Sequence, residues 1–102
     1  MTPGWSEGLI IHKFGDSIEN ISCLTKDGVK DVVTLEHRKN QDSIWKPAPA
    51  YSDGVSRVVS DGQKFTIKNL KRSDEGFYRC HIQRYGTTYQ LLLGFLMLGR
   101  TI

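Results

Sequence analysis

The chain has 102 residues, 38% of them apolar and 25% charged, with ten glycines and three prolines. That is enough for one two-layer core and excludes a large α/β barrel, a collagen-like chain or a low-complexity chain. Fourteen Lys and Arg against eleven Asp and Glu give a net charge of +3, with the signs interleaved. Lys68, Lys71 and Arg72 run into Asp74 and Glu75, and His37, Arg38 and Lys39 follow Glu36. A nucleic-acid surface gathers its basic residues into a stripe, so no nucleic-acid partner is expected.

Met1 to Gly8 is polar, and Leu9-Ile10-Ile11 is far shorter than a secretory h-region of about 7–15 residues. The most apolar run, Leu91 to Gly99, contains Gly94 and is stopped by Arg100, well short of the ~20 residues of a membrane span. It reads as a buried strand, and no membrane insertion of this segment is expected. Any leader or membrane anchor is expected outside it.

In chain order, the predicted strands are 8–13, 17–25, 31–39, 43–46, 56–60, 63–69, 76–84 and 87–97. Between them stand Phe14-Gly15-Asp16, Asp27-Gly28, Asp53-Gly54, Asp61-Gly62 and Tyr85-Gly86, each with a residue that tolerates positive φ. Pro47-Ala48-Pro49-Ala50 reads as irregular, and Lys71 to Glu75 as one helical turn with Ser73 as its cap. The strands are rich in Val, Ile, Thr, Tyr and Phe with period-two alternation, and no segment carries a helical stripe. Short strands at this spacing, without intervening helices, predict an antiparallel sandwich or barrel.

Two cysteines allow a single intramolecular pairing. Alternation places Cys23, beside Ile21, and Cys80, between Tyr78 and Ile82, on the inward faces of their strands, where a bridge would pin two sheets together. With the two positions 57 apart in sequence, closure would stabilise the fold by about 3–5 kcal/mol if the gain comes from chain entropy. The alternative is a pair of buried free thiols.

Asp74-Glu75-Gly76-Phe77-Tyr78-Arg79-Cys80 fits D-x-G-x-Y-x-C. It resembles the turn before strand F, and strand F itself, in immunoglobulin-superfamily domains of variable or intermediate type. The resemblance implies an all-β, two-sheet antiparallel Greek-key sandwich with one inter-sheet disulfide, spanning the chain as a single domain (1–102) with its core at about 9–97. It implies a tyrosine corner at Tyr78, whose hydroxyl bonds back to backbone near the turn. Gly76 would relieve crowding there, and Asp74 would lie under the end of the sandwich, paired with Arg57. Phe65 to Leu70 resembles strand E, and Gly15-Asp16-Ser17 the start of strand B; the likeness covers roughly 9–93.

The sequence departs from the pattern in three places. Leu35 stands at the strand C register where a Trp normally packs on the disulfide, and Trp5 and Trp45 are too distant in sequence to replace it. The stretch from Gly15 to Cys23 is one residue longer than usual, which puts Glu19 at an apolar position; a bulge turning Ile18 inward would resolve this. Strand G lacks F-G-x-G, having Gly94-Phe95-Leu96-Met97 instead, which argues against an antigen-receptor variable domain. The cysteine spacing favours a compact domain with a truncated C″ region.

Asn20-Ile21-Ser22 is an N-glycosylation acceptor whose Asn faces outward on strand B, as suits a secreted or cell-surface domain. On the opposite sheet, Cys80 and Leu35 pointing inward send Arg79, His81 and Gln83, and Thr34, Glu36 and Arg38, outward. With Trp45 on the predicted C′ strand and Tyr85 at the F–G tip, this face has the aromatic and Arg content of binding hot spots. The plainer alternatives are a solvated face with a Glu36–Arg79 cross-strand pair, and Trp45 as a cap over the sandwich edge.

His12, His37 and His81 are scattered, no G-x-S-x-G, H-E-x-x-H or glycine-rich phosphate loop is present, and alternation sends His37 inward and His81 outward. Neither enzyme, metal nor cofactor is expected. The reading is an extracellular recognition or adhesion module of an immune-type cell-surface receptor, with a protein partner such as another immunoglobulin-like domain. Two alternatives stand beside it: a structural spacer in a larger chain, and a homodimerising co-receptor subunit using its apolar strand G (Leu91, Leu92, Leu93, Phe95, Leu96).

Overall fold

The structure, a computed structural model, describes residues 8–23, 31–48, 58–61 and 63–99. Among the described residues eight strands form: β1 (Gly8–His12), β2 (Ile18–Ser22), β3 (Val32–Arg38), β4 (Lys46–Pro47), β5 (Val58–Asp61), β6 (Lys64–Ile67), β7 (Gly76–Arg84) and β8 (Thr87–Leu98). They build a five-stranded sheet, β1-β8-β7-β3-β4, and a three-stranded sheet, β2-β6-β5. All pairs are antiparallel except β1 with β8, which run parallel from Gly8 opposite Gly94 to His12 opposite Leu98. The antiparallel expectation is corrected on that one edge: β1 lies along β8 and the chain then crosses at Phe14-Gly15 to the other sheet, which a hairpin could not do. Arg57 and the region expected to hold a truncated C″ lie outside the described residues.

Period-two alternation explains the core. On β7, Gly76, Tyr78, Cys80 and Ile82 are buried while Phe77, Arg79 and His81 are partly exposed. Leu35 sits opposite Cys80 on β3 and is buried, so a leucine fills the strand C position beside the bridge. Cys23 and Cys80 form the disulfide, with Cα atoms 5.7 Å apart, which joins the two sheets and closes the free-thiol alternative.

The expected bulge in β2 is present. Ile18 pairs with Ile67 and Ile21 with Phe65, so Glu19 and Asn20 together oppose one residue of β6. Asn20 takes φ 59°, and Ile18, Ile21 and Cys23 all reach the core while Glu19 and Asn20 stay exposed. A second bulge lies in β8, where Gly94 pairs with Tyr78 and Leu92 with Arg79. It turns Leu93 inward with Leu96 and Leu98 and leaves Leu91 and Leu92 exposed. Strand G therefore bulges without F-G-x-G.

Before β7, a 3₁₀ turn spans Arg72–Asp74. The Asp74 amide donates to the Lys71 carbonyl at 2.8 Å, and the Lys71 amide donates to Asp74 Oδ2 at 2.7 Å. Ser73 is thus inside the turn rather than its cap, because the Asp74 carboxylate, a charged acceptor, reaches back to the first free N–H. The Tyr78 hydroxyl donates to the Asp74 carbonyl at 2.5 Å in a fully buried setting, completing the tyrosine corner. Gly76 takes φ 138°, and a Cβ there would strike the Arg38 carbonyl and His37 Nε2, so only glycine fits.

The predicted strand at 43–46 forms only as Lys46–Pro47. Asn40 Oδ1 accepts from the Asp42 amide at 2.9 Å and from Ser43 Oγ at 3.0 Å. This side-chain turn holds 40–43 away from the sheet. Pairing with β3 then starts at Lys46, opposite His37.

Candidate recognition surface

The outer face of the five-stranded sheet carries a continuous row of side chains across four strands. Phe77 lies opposite Arg38 on β3 and Phe95 on β8, and Phe95 lies opposite Leu9 on β1. The two phenyl rings meet edge to face with centroids 4.9 Å apart. The Arg38 guanidinium stands 5.5 Å from the Phe77 centroid and 4.7 Å from that of Trp45. Trp45, just before β4, receives Arg79 as well, at 4.3 Å. A half-buried indole is therefore in contact with two guanidinium groups, a geometry in which each cation is attracted by the ring quadrupole.

The two arginines differ in their partners. Arg79 Nε donates to Glu36 Oε1 at 2.7 Å across the β3–β7 ladder. The same carboxylate oxygen lies 3.9 Å from His81 Nδ1, and His81 Nδ1 is 3.2 Å from Gln90 Nε2. Among the described residues, Arg38 Nη1 makes only a long bond, 3.4 Å, to the Gln41 carbonyl, and its Nε is buried without a hydrogen-bond partner.

Five of the seven residues expected on this face, Glu36, Arg38, Trp45, Arg79 and His81, thus form one contiguous cluster. Gln83 is exposed two residues farther along β7, and Tyr85 stands at the tip, 85% exposed. At about 3.4 Å per residue, Tyr85 is roughly 20 Å from Arg79. The tip is a two-residue hairpin turn with φ 47° at Tyr85 and 81° at Gly86, as a type I′ turn requires. It offers one side chain rather than a broad loop.

Phe77 and Leu9, missed from the sequence, extend the cluster together with Phe95 and Leu92, which were expected only as part of an apolar strand G. Their signal was available in the parity of Phe77 with Arg79; the β8 bulge, which resets parity after Leu92, concealed the rest. Also missed was a bidentate pair at the far end, Arg84 Nε and Nη2 to Asp31 Oδ1 and Oδ2, both 2.8 Å. It is structural, since the Asp31 side chain is almost wholly buried.

His37 faces the other way, half-buried. Its Nε2 lies 2.7 Å from the Glu75 carbonyl, and its ring centroid 4.8 Å from that of Tyr78. Burial lowers its pKa below 6.5, with Lys39 adding to the effect, while the bond to Glu75 and the charge of Asp74 oppose it. Asn20 is exposed on β2, in the sheet opposite the cluster. Among the described residues, no helix is long and apolar enough to cross a membrane.

Two bonded sheets in this strand order, with the inter-sheet disulfide and the tyrosine corner, define an immunoglobulin-fold domain. Solved structures sharing the fold include the tandem Ig repeats of Dlar, a Drosophila receptor protein tyrosine phosphatase, at 14% identity over 90% of this chain and 43% of that one, with a TM-score of 0.64. The N-terminal four Ig domains of Dscam1 isoform 6.9 match at 14% identity over 91% of this chain and 23% of that one, TM-score 0.68. The insect immune protein hemolin matches at 21% identity over 89% and 20%, TM-score 0.61. The chain spans less than half the length of each. No protein-family model and no curated protein matches it.

Proposed function

We propose that this domain is an extracellular recognition or adhesion module of an immune-type cell-surface receptor. It binds a protein partner, such as another immunoglobulin-like domain, through the outer face of β8, β7, β3 and β4. The observation that carries this reading is Trp45, half-buried and in contact with both Arg38 and Arg79 on an open sheet face. Trp and Arg dominate binding hot spots because a rigid, amphipathic surface loses little entropy on contact. The disulfide suits an oxidising compartment. A glycan at Asn20 would cover the opposite sheet and leave this face free. Contact between many copies would raise a weak single-site affinity.

The site's work is surface complementarity, and His37 and His81 lie on opposite faces of the sheet. The test is binding of the oxidised domain, displayed as a multimer, to a panel of cells and extracellular proteins, beside a Glu36→Ala, Arg38→Ala, Tyr85→Ala variant. Saturable binding lost in the folded variant is expected. Binding that survives would move the site elsewhere, and no binding by the intact domain would favour a spacer.

A second reading is favoured by the apolar margin of the same face, where Leu9, Ile11 and Leu92 are 53%, 47% and 41% exposed. Exposed leucines in neighbouring strands mark interaction surfaces, and a second copy of this chain would cover them. Hemolin's domain arrangement carries implications for homophilic adhesion. Sedimentation of the wild-type domain beside Leu92→Arg separates this reading: concentration-dependent dimer lost in the variant supports it, and a monomer throughout removes it.

A further inference from the structure

The two arginines against Trp45 are not equivalent. Arg79 has its carboxylate, Glu36, at 2.7 Å. Among the described residues Arg38 has none: its one bond there is the long contact with the Gln41 carbonyl, and its Nε is desolvated and unpartnered. Asp42, in the adjoining turn, makes no ion pair with it. Two neighbouring charges share its sign, since Lys39 follows it in the chain and Lys46, opposite His37, flanks it across the sheet, both exposed, while the nearby Glu36 is taken by Arg79. The rings of Phe77 and Trp45 hold the guanidinium in place, so little freedom remains to be lost when a partner docks.

We infer that Arg38 is the specificity-determining residue of the face, and that it takes a carboxylate side chain of a protein partner, set between apolar groups that rest on Leu92, Phe95 and Leu9. This rests on the recognition reading above. A planar guanidinium pairs with a carboxylate through two parallel bonds. A guanidinium packed against two rings, with one nitrogen already desolvated, loses less hydration when a carboxylate meets its outer nitrogens than a fully solvated one does. The apolar neighbours supply the water-excluding surround in which such a bond is strongest. Glu36 and Arg79 satisfy each other and position Trp45; they are not the partner's contact.

The direct test is a titration of the isotopically labelled, oxidised domain, following the Arg38 Nε–H resonance assigned by its loss in Arg38→Lys. The probes are the blocked peptide Leu-Glu-Leu, its Leu-Gln-Leu counterpart, and inorganic phosphate. The Glu peptide is expected to shift the Arg38 signal saturably, at least tenfold more tightly than the Gln peptide, with Arg79 little moved. Equal response to the two peptides, equal response to phosphate, or no movement of Arg38 overturns the inference.

In the multimer assay, Arg38→Gln is expected to weaken binding at least tenfold, with Arg38→Lys recovering only part of it. Binding lost in Trp45→Ala but kept in Arg38→Gln would overturn the carboxylate contact and leave the recognition face standing.

Discussion

Replacing Tyr78 by Phe removes one oxygen from the best-packed part of the domain and leaves the ring where it is. The hydroxyl donates to the Asp74 carbonyl in a fully buried position, so the change strands an acceptor that water reaches poorly. The net value of a hydrogen bond is about 1 kcal/mol, but leaving a buried partner unsatisfied costs about 1–3 kcal/mol. The ring contact with His37 survives, so no cavity penalty adds. For a domain of this size 1 kcal/mol moves Tm by about 4–8 °C, and a central loss of about 2 kcal/mol lowers Tm by about 8–16 °C. Urea unfolding with the disulfide intact should show a lower midpoint and an unchanged slope. Tyr85→Phe, at the exposed hairpin tip, serves as control and should stay within about 0.5 kcal/mol. A Tyr78→Phe midpoint indistinguishable from wild type would refute the claim that the tyrosine corner ties the turn to β7.

Gly76→Ala should destabilise by about 2–4 kcal/mol, combining a strained φ with a collision against the Arg38 carbonyl, and is read by the same urea unfolding. Removing the bridge with Cys23→Ala and Cys80→Ala should cost about 4 kcal/mol on the chain-entropy scale, seen as a lower Tm than that of the oxidised domain. His37, whose folded pKa lies below 6.5, binds a proton more readily in the unfolded chain. Its contribution is therefore full above 6.5 and lost as pH falls through that value toward the folded pKa. Urea midpoints measured at about pH 7.5 and pH 5 should fall more for wild type than for His37→Gln. Protein from a mammalian host should carry hexose at Asn20 by mass spectrometry, absent in Asn20→Gln.

What the sequence made legible was local or periodic. D-x-G-x-Y-x-C marked the turn, the corner and the second cysteine because each residue there answers a backbone demand within seven positions. The misfit of Glu19 was enough to require the β2 bulge, since only an extra residue brings both Ile18 and Cys23 inward. The resemblance to strand C put Leu35 beside the bridge, and parity from Leu35 and Cys80 turned Arg79, His81, Glu36 and Arg38 to one face. What was not legible depended on register between distant strands. Nothing in Gly8–His12 states that it runs parallel to β8, and Asp31 and Arg84 meet only through pairing across 53 residues. Trp45 reached the arginines by a route alternation does not describe: the Asn40 turn shortened the predicted strand and left the indole just outside it. The division of labour between Arg38 and Arg79 depends on which of them Glu36 can reach, and alternation puts both on the same face.

Trp45→Ala, set beside Val59→Arg on the three-stranded sheet, bears most directly on the claim that recognition occurs on the five-stranded face. Trp45 lies outside the buried core and Val59 is exposed, so both variants should fold, which a near-native Tm would verify. Displayed as multimers over the same panel of cells and proteins, the Trp45 variant should lose binding at least tenfold while the Val59 variant keeps it. Retention by Trp45→Ala with loss in Val59→Arg would place recognition on the other sheet and contradict the account.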